Sequence, residues 1–272
     1  MSRIILSGGS NFRPDHTFDC GQCFRWDREE DGSYTGIAGR KIARIYGSDE
    51  RIIIESPDRT ADRVFWENYL DLNRDYGKIR DYLGKRDTVI REAMEFGRGI
   101  RLLNQDKWET LISFIISANN NIPRIKKNIN MLAEMFGKPA GGFRGREFYE
   151  LPEPEVLAQL TEKDLAPIRL GYRAPYLIKT AKMVTDDGCC IREDRLRGYV
   201  GVGPKVASCI SLFAFDNVDS FPIDTWVKQV MNKLYGIDKK DTEAMKKLAE
   251  DKFSPYGGIA QQYLFYFIRE KS

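Results

Sequence analysis

Histidine is nearly absent from this 272-residue chain, where His16 stands alone. A Ser-His-Asp or Cys-His hydrolase needs an imidazole beside its nucleophile, so the shortage argues against both. Long apolar runs are lacking as well: nothing approaches the roughly 18 uninterrupted residues a membrane helix requires. The N-terminus carries no basic segment followed by an apolar core. The expectation is a cytoplasmic protein without a membrane partner, and short termini with no targeting segment suit a prokaryotic cytosol. Net charge is only +3, so composition alone does not mark a nucleic-acid binder, and any basic footprint must be local. Five cysteines, at 20, 23, 189, 190 and 209, are an odd number without a secretion signal, which argues against a disulfide framework. Cys20 and Cys23 have metal-like spacing, but no second pair follows and one histidine cannot complete a zinc set, so no metal is expected.

What is present supports a sizeable core. Hydrophobic residues make up 42% of the chain, and its length accommodates two domains of about 100–150 residues. Residues 18–55 read as short strands at Phe24–Trp26, Tyr34–Ala38, Lys41–Tyr46 and Arg51–Glu55, separated by Asp31-Gly32, Gly39-Arg40 and Ser48-Asp49. Successive hairpin signals of this kind predict an antiparallel sheet. From about residue 60 the pattern turns helical. Asp106-Lys-Trp-Glu109 resembles a capping box opening a helix that Asn119 to Asn121 end, and Pro123 sits in the first turn of a helix closing at Gly137. Glu162 to Gly171 and Pro175 to Gly188 give two more helices, and the Gly- and Pro-rich stretch 138–154 reads as a loop. The expected fold class is α+β: an N-terminal antiparallel sheet domain with helices over 1–100, then an all-helical body over 101–272.

The most informative stretch runs from Leu196 to Ile210. Gly201 and Gly203 bracket Val202 in a hairpin between two helices, spanning about 193–215, and Pro204 starts the second helix. Such a hairpin exposes backbone N–H groups at a helix N-terminus, where they bind phosphate oxygens without reading bases. Lys205 is a cation in the first turn of that helix, facing the positive end of the macrodipole. That placement predicts a lowered pKa and a nucleophile able to form a Schiff base; the competing reading is a solvated phosphate contact. About twenty residues on, Asp224 precedes the helix Thr225–Leu234, as an N-cap or as a carboxylate returned to the neighbourhood of Lys205.

The run Gly201-Val-Gly-Pro-Lys-Val-Ala-Ser-Cys209 followed by Val218-Asp-Ser-Phe-Pro-Ile-Asp224 resembles the helix-hairpin-helix, Gly/Pro, aspartate superfamily of DNA repair glycosylases. Four further motifs are similar to the 8-oxoguanine DNA glycosylases within it: Cys20-Gly-Gln-Cys-Phe-Arg-Trp26, Phe114-Ile-Ile-Ser-Ala-Asn-Asn-Asn-Ile-Pro-Arg124, Leu170-Gly-Tyr-Arg-Ala174 and Ala260-Gln-Gln-Tyr-Leu-Phe265. The resemblance implies an N-terminal sheet domain and two helical subdomains with the lesion pocket between them. It implies that Lys205 attacks C1′ of the damaged nucleotide with Asp224 assisting. The Gly21 carbonyl would accept from N7–H of 8-oxoguanine, a donor where guanine has an acceptor. Gln261 would bond the Watson–Crick edge, while Phe265 and Cys209 would sandwich the flipped ring. Asn119, Arg124, Tyr172 and Arg173 would fill the gap and hold the widowed base, the two arginines favouring cytosine through its O2 and N3 acceptors.

By this resemblance the partner is duplex DNA containing 8-oxoguanine, and the protein is a monomeric, nucleoid-associated glycosylase/lyase. Val200 stands where the hairpin often has proline, and Trp226 where relatives can carry histidine. The four-cysteine C-terminal cluster of the endonuclease III relatives is missing, so no iron–sulfur cluster and no other cofactor is expected, though the hairpin remains compatible with a cation. Two other readings stay open. One is an alkylation-type glycosylase of the same fold, which activates water and lacks the lysine. The other is a non-catalytic helix-hairpin-helix DNA-binding protein.

Overall fold

The computed structural model describes residues 1–8, 11–48, 50–58 and 62–271. Strands β1 (Ser2–Ser7), β2 (Trp26–Arg28), β3 (Tyr34–Ala38), β4 (Lys41–Ser48) and β5 (Arg51–Ser56) form one antiparallel sheet in the order β1-β5-β4-β3-β2. Their register aligns Ile4, Ile54, Ile45 and Tyr34 in a row across four strands, all buried. Cross-strand rows of this kind stabilise a sheet through side-chain pairs on one face. Phe18, Trp26 and Trp66 complete the core beneath, where Trp26 Nε1 donates to the Tyr69 hydroxyl over 2.7 Å.

Two strand expectations change. No strand is expected before residue 18, yet β1 pairs with β5 across some fifty residues of sequence, a long-range match that local pattern does not reveal. The strand expected at Phe24–Trp26 starts at Trp26, because Phe24 leaves the sheet and packs edge-on against Phe114 in the helical core. The turn signal at Ser48-Asp49 includes Asp49, which lies outside the described residues.

The helices are α1 (Pro14–Phe18), α2 (Arg63–Tyr69), α3 (Tyr76–Arg86), α4 (Thr88–Phe96), α5 (Lys107–Ser117), α6 (Ile122–Phe136), α7 (Pro154–Gln159), α8 (Glu162–Leu165), α9 (Arg173–Asp186), α10 (Pro204–Ala214), α11 (Thr225–Tyr235), α12 (Thr242–Phe253) and α13 (Gly257–Lys271). Asp62, Asp75, Asp87, Asp106, Asn121, Thr161, Asp224 and Asp241 each cap one by accepting a backbone N–H. Each such cap stabilises by about 1 kcal/mol. Helix α5 is buried from Thr110 to Ile116 and α13 from Gly257 to Ile268. A helix that is apolar on all sides belongs in a core, and these two form the spine of the helical body. None of the helices among the described residues is long and apolar enough to cross a membrane.

Three local expectations are corrected. The stretch 138–154 is not simply a loop: β6 (Pro139–Phe143) and β7 (Arg146–Tyr149) form a hairpin, and Phe143 and Phe148 bury against Ile37 and Ile42 of the sheet. Glycines at 141 and 142 and a register shift at Pro139/Gly141 erase the alternation that would have announced it. Glu162 to Gly171 is not one helix, since Pro167 turns the chain into a 3-10 turn over Ala166–Ile168 after the single turn of α8. The capping box at Asp106 is one-sided. Asp106 accepts from the Glu109 N–H over 2.8 Å, but the Glu109 carboxylate lies 3.6 Å from Arg25 Nη1 and ties α5 to the sheet region. Burial pushes that carboxyl up to about 7, with Arg25 pulling the other way.

Candidate active site

The chain between α9 and α10 makes a short 3-10 helix, Glu193–Gly198, followed by a hairpin, so the first arm of the motif is two tight turns. Gly201 has φ +86, and a Cβ there would sit 2.8 Å from the ring of Tyr176, so only glycine fits. Gly203 differs: its backbone is extended and a side chain there would meet nothing. Its service is an open approach to the N-terminus of α10, where Pro204 occupies the first turn and no side chain caps the helix. Thr180 of α9 holds the hairpin by donating to the Val200 carbonyl over 2.8 Å.

Helix α10 then projects Lys205 and, one turn later, Cys209 onto the same face. The Lys205 ammonium lies 5.2 Å from the centre of the Phe114 ring, on α5. Beyond α10 the chain doubles back: the Asn217 N–H donates to Ser211 and the Ser220 hydroxyl to the Ser208 carbonyl, over 3.1 and 2.9 Å. This return delivers Asp224 to the side of Lys205. Asp224 is also a helix cap, accepting the Val227 N–H over 2.7 Å, so both readings of the residue hold together. Burial raises its pKa, opposed by the N–H of Val227 and by Lys205.

The expectation of a lowered Lys205 pKa is reversed. Burial does pull it down, but the Cys209 sulfur and the Asp224 carboxylate outweigh it and hold the amine above its ordinary value. Local helix polarity is a weaker influence than a nearby carboxylate, because the macrodipole acts as about half a charge.

Lys205 and Asp224 open onto a cavity of about 720 Å³, whose wall also includes Gly21, Asn119, Cys209, Gln261 and Phe265. Gly21 arrives from the sheet region in a loop with φ +78, and a Cβ on it would lie 3.3 Å from the Phe265 ring. Three bonds from Gln22 pin that loop: its Nε2 donates to the carbonyls of Thr17 and Arg101, and its Oε1 accepts the Leu103 N–H. Sequence reasoning passed over Gln22 although it lies inside the Cys20-to-Trp26 motif. Arg269 was also missed; it stands over the Phe265 ring at 5.4 Å, two turns beyond Gln261 on α13. Trp226 lines the cavity as well.

Arg124, Tyr172 and Arg173 do not line the cavity. They gather at its edge, around the turn between α5 and α6. Arg173, only 5% exposed, donates to the carbonyls of Ala118, Asn119 and Leu170, and the Tyr172 hydroxyl donates to Ala118 over 3.0 Å. Arg124 is exposed and donates to the Arg169 carbonyl over 3.0 Å. Asn119 itself adopts φ +50, the left-handed conformation that asparagine tolerates well.

The 8-oxoguanine DNA glycosylase N-terminal domain matches residues 4–111, and the HhH-GPD superfamily of base excision DNA repair proteins matches residues 112–255. The N-glycosylase/DNA lyase OGG1 of Arabidopsis thaliana is 30% identical, over 92% of this chain and 75% of that protein. Among solved structures, MBOgg1 in complex with a low affinity DNA ligand is 40% identical with a TM-score of 0.92, covering 100% of this chain and 96% of the other. The Clostridium acetobutylicum 8-oxoguanine glycosylase/lyase, in complex with dsDNA containing cytosine opposite 8-oxoG, is 39% identical with a TM-score of 0.90, covering 96% and 93%. A glycine hairpin, a lysine one residue into the next helix and an aspartate returned to its side thus occur within two matches that together span residues 4–255, and the chain belongs to the 8-oxoguanine DNA glycosylases of the HhH-GPD superfamily.

Proposed function

We propose that Lys205 is the amine nucleophile of this bifunctional 8-oxoguanine DNA glycosylase and lyase, acting in base excision repair. The observation that carries the assignment is the convergence of Lys205 and Asp224 on one cavity with Gly21, Cys209, Gln261 and Phe265. The flipped base enters between Phe265 and Cys209, and the unstacking cost of a few kcal/mol is partly offset by that stacking. The Gly21 carbonyl accepts N7–H, which guanine lacks. Lys205 must first lose its proton, and Asp224 is the adjacent acceptor. The amine then bonds to C1′ as the C1′–N9 bond breaks, and the departing base takes up the proton that Asp224 received, which restores the carboxylate. Asp224 stabilises the positive charge that develops on the sugar. Collapse to the imine opens the ring; loss of the 2′ proton then expels the 3′ phosphate, and water releases the lysine.

The DNA backbone is held at the Gly201–Gly203 hairpin through N–H groups at the start of α10. The widowed base is read at the edge formed by Asn119, Arg124, Tyr172 and Arg173, with cytosine preferred. Borohydride reduction during reaction on 8-oxoguanine duplex tests the assignment. A covalent protein–DNA adduct is expected from the wild type and none from Lys205→Gln; an adduct of equal yield from the variant overturns it.

A further inference from the structure

Helix α13 turns one stripe of side chains to the cavity: Gln261, Phe265 and Arg269 follow one another at four-residue spacing, and all three line its wall. At 1.5 Å of rise per residue, Gln261 and Arg269 stand about 6 Å to either side of Phe265 along the helix. A purine stacked on Phe265 with its Watson–Crick edge at Gln261 therefore turns the opposite, imidazole edge toward Arg269. Two further observations place the guanidinium on that side. Gly21, whose carbonyl takes N7–H of the same edge, and Arg269 both pack against the Phe265 ring: a Cβ on Gly21 would fall 3.3 Å from it, and the guanidinium carbon lies 5.4 Å from its centre. The charge also reaches the Gly21 loop, since burial pushes the neighbouring Cys20 thiol up to about 12 and Arg269 is the largest influence pulling it back.

No other step of the reaction uses this cation. Its ion-pair partner, Glu270 at 2.8 Å, has a side chain 42% exposed, against 17% for Arg269. Water damps the carboxylate more than the guanidinium, so positive charge remains on the cavity side. When the C1′–N9 bond breaks, its electron pair leaves with the base, and until the proton from Asp224 arrives the charge spreads from N9 through C8 onto O8. That oxygen lies on the imidazole edge, beside N7. We propose that Arg269 stabilises the negative charge reaching O8 of the departing base, which makes the C8 carbonyl a determinant of the chemical step as well as of recognition. Guanine has no C8 oxygen to carry charge toward this residue. The proposal rests on the glycosylase reading given above and deepens it: Gly21 reads the lesion before reaction, whereas Arg269 acts as the bond breaks.

Single-turnover reactions with protein in excess, on duplex containing 8-oxoguanine opposite cytosine and on the same duplex with an abasic site in place of the lesion, test it. The abasic site reacts with the same lysine but has no base to expel. Arg269→Met keeps an apolar stem against Phe265 and removes the charge. It should lower the maximal excision rate at least about tenfold, equivalent to about 1.4 kcal/mol, while abasic cleavage stays within about twofold. Arg269→Lys, which restores a charge, should remain within about threefold of the wild type in both reactions. The protein concentration giving half-maximal excision should move less than about threefold in either variant. An unchanged maximal rate in Arg269→Met overturns the proposal, as do equal losses in the methionine and lysine variants. A loss confined to the half-maximal concentration also overturns it, leaving Arg269 as a support for Phe265. Misfolding lowers excision and abasic cleavage alike, and Arg269→Gln then decides in place of methionine; parallel losses in both uncharged variants overturn the proposal. A wild type that cleaves abasic duplex but does not excise 8-oxoguanine overturns the glycosylase reading, and the proposal falls with it.

Discussion

Inside the cavity, Lys205, Asp224 and Gln261 line open space of about 720 Å³. At the edge, Arg173 has already given its donors to three backbone carbonyls, and Tyr172 and Arg124 have each given one to another. The two regions lie on either side of the turn at Asn119, yet one has spare bonding capacity and the other little. The lesson concerns what each does on binding. The cavity gains bonds when a base fills it, whereas the edge can bond a widowed base only by exchanging partners, so its selectivity is expected to be the smaller effect. Arg173 in particular reads as the residue that shapes the turn, leaving the exposed Arg124 as the freer donor.

The largest test falls in the cavity. Lys205→Gln should lower excision by about 10³-fold or more while DNA affinity stays within about tenfold, because one lost charge contact to the duplex costs little. Near wild-type excision by this variant in single-turnover assays would remove the functional distinction between cavity and edge. Next comes Asp224, where charge and cap can be separated. Asp224→Asn keeps an oxygen for the Val227 N–H and should slow chemistry by about 10²-fold with little change in thermal stability. Asp224→Ala should additionally lose the cap, about 1 kcal/mol or roughly 2–4 °C in Tm. Equal stability losses in both variants, with normal activity per folded molecule, would make the residue a cap alone.

The edge supplies a smaller effect. Excision opposite cytosine should exceed excision opposite adenine by at least about tenfold, and Arg124→Met should compress that ratio without changing Tm. Arg173→Met should instead lower Tm and slow both reactions, since it strips donors from the carbonyls of residues 118, 119 and 170. An unchanged ratio in Arg124→Met would show that this arginine holds phosphate only. The last effect is on stability rather than activity and lies away from both regions, at Glu109. Its folded pKa of about 7 stands above the ordinary 4.5, so the folded state binds more protons than the unfolded one across that window. Stability should therefore fall as pH rises from about 4.5 to about 7. Glu109→Gln should flatten that slope in thermal melts taken at several pH values, and a slope equal to the wild type's would assign the dependence to other groups.

Several of these residues are legible without coordinates because their signals are short-range. Gly201, Pro204 and Asp224 announce a hairpin, a helix start and a helix cap through the conformations that glycine, proline and aspartate favour. Lys205 stands out for the same reason, as a cation where a helix start disfavours one. The direction of its pKa was not legible: it depends on how burial is balanced against Cys209, one turn along the helix, and Asp224, nineteen residues away in sequence and brought close only by the turn at Asn217.

What the sequence by itself determined is therefore local: strand alternation over 34–56, the helix caps at Asp106 and Asp224, the hairpin, and the set of chemical groups available. The tertiary structure decided how those groups are combined. Gly21 meets Phe265 across more than 240 residues of chain, the β6–β7 hairpin folds because Phe143 and Phe148 find Ile37 and Ile42, and Glu109 turns from its own helix cap to Arg25. Contacts of this length depend on which buried surfaces fit together, and burial also sets the pKa values of the groups caught between them. Neither is encoded in a window of neighbouring residues, which is why the chemistry could be named from the chain while its geometry had to be seen.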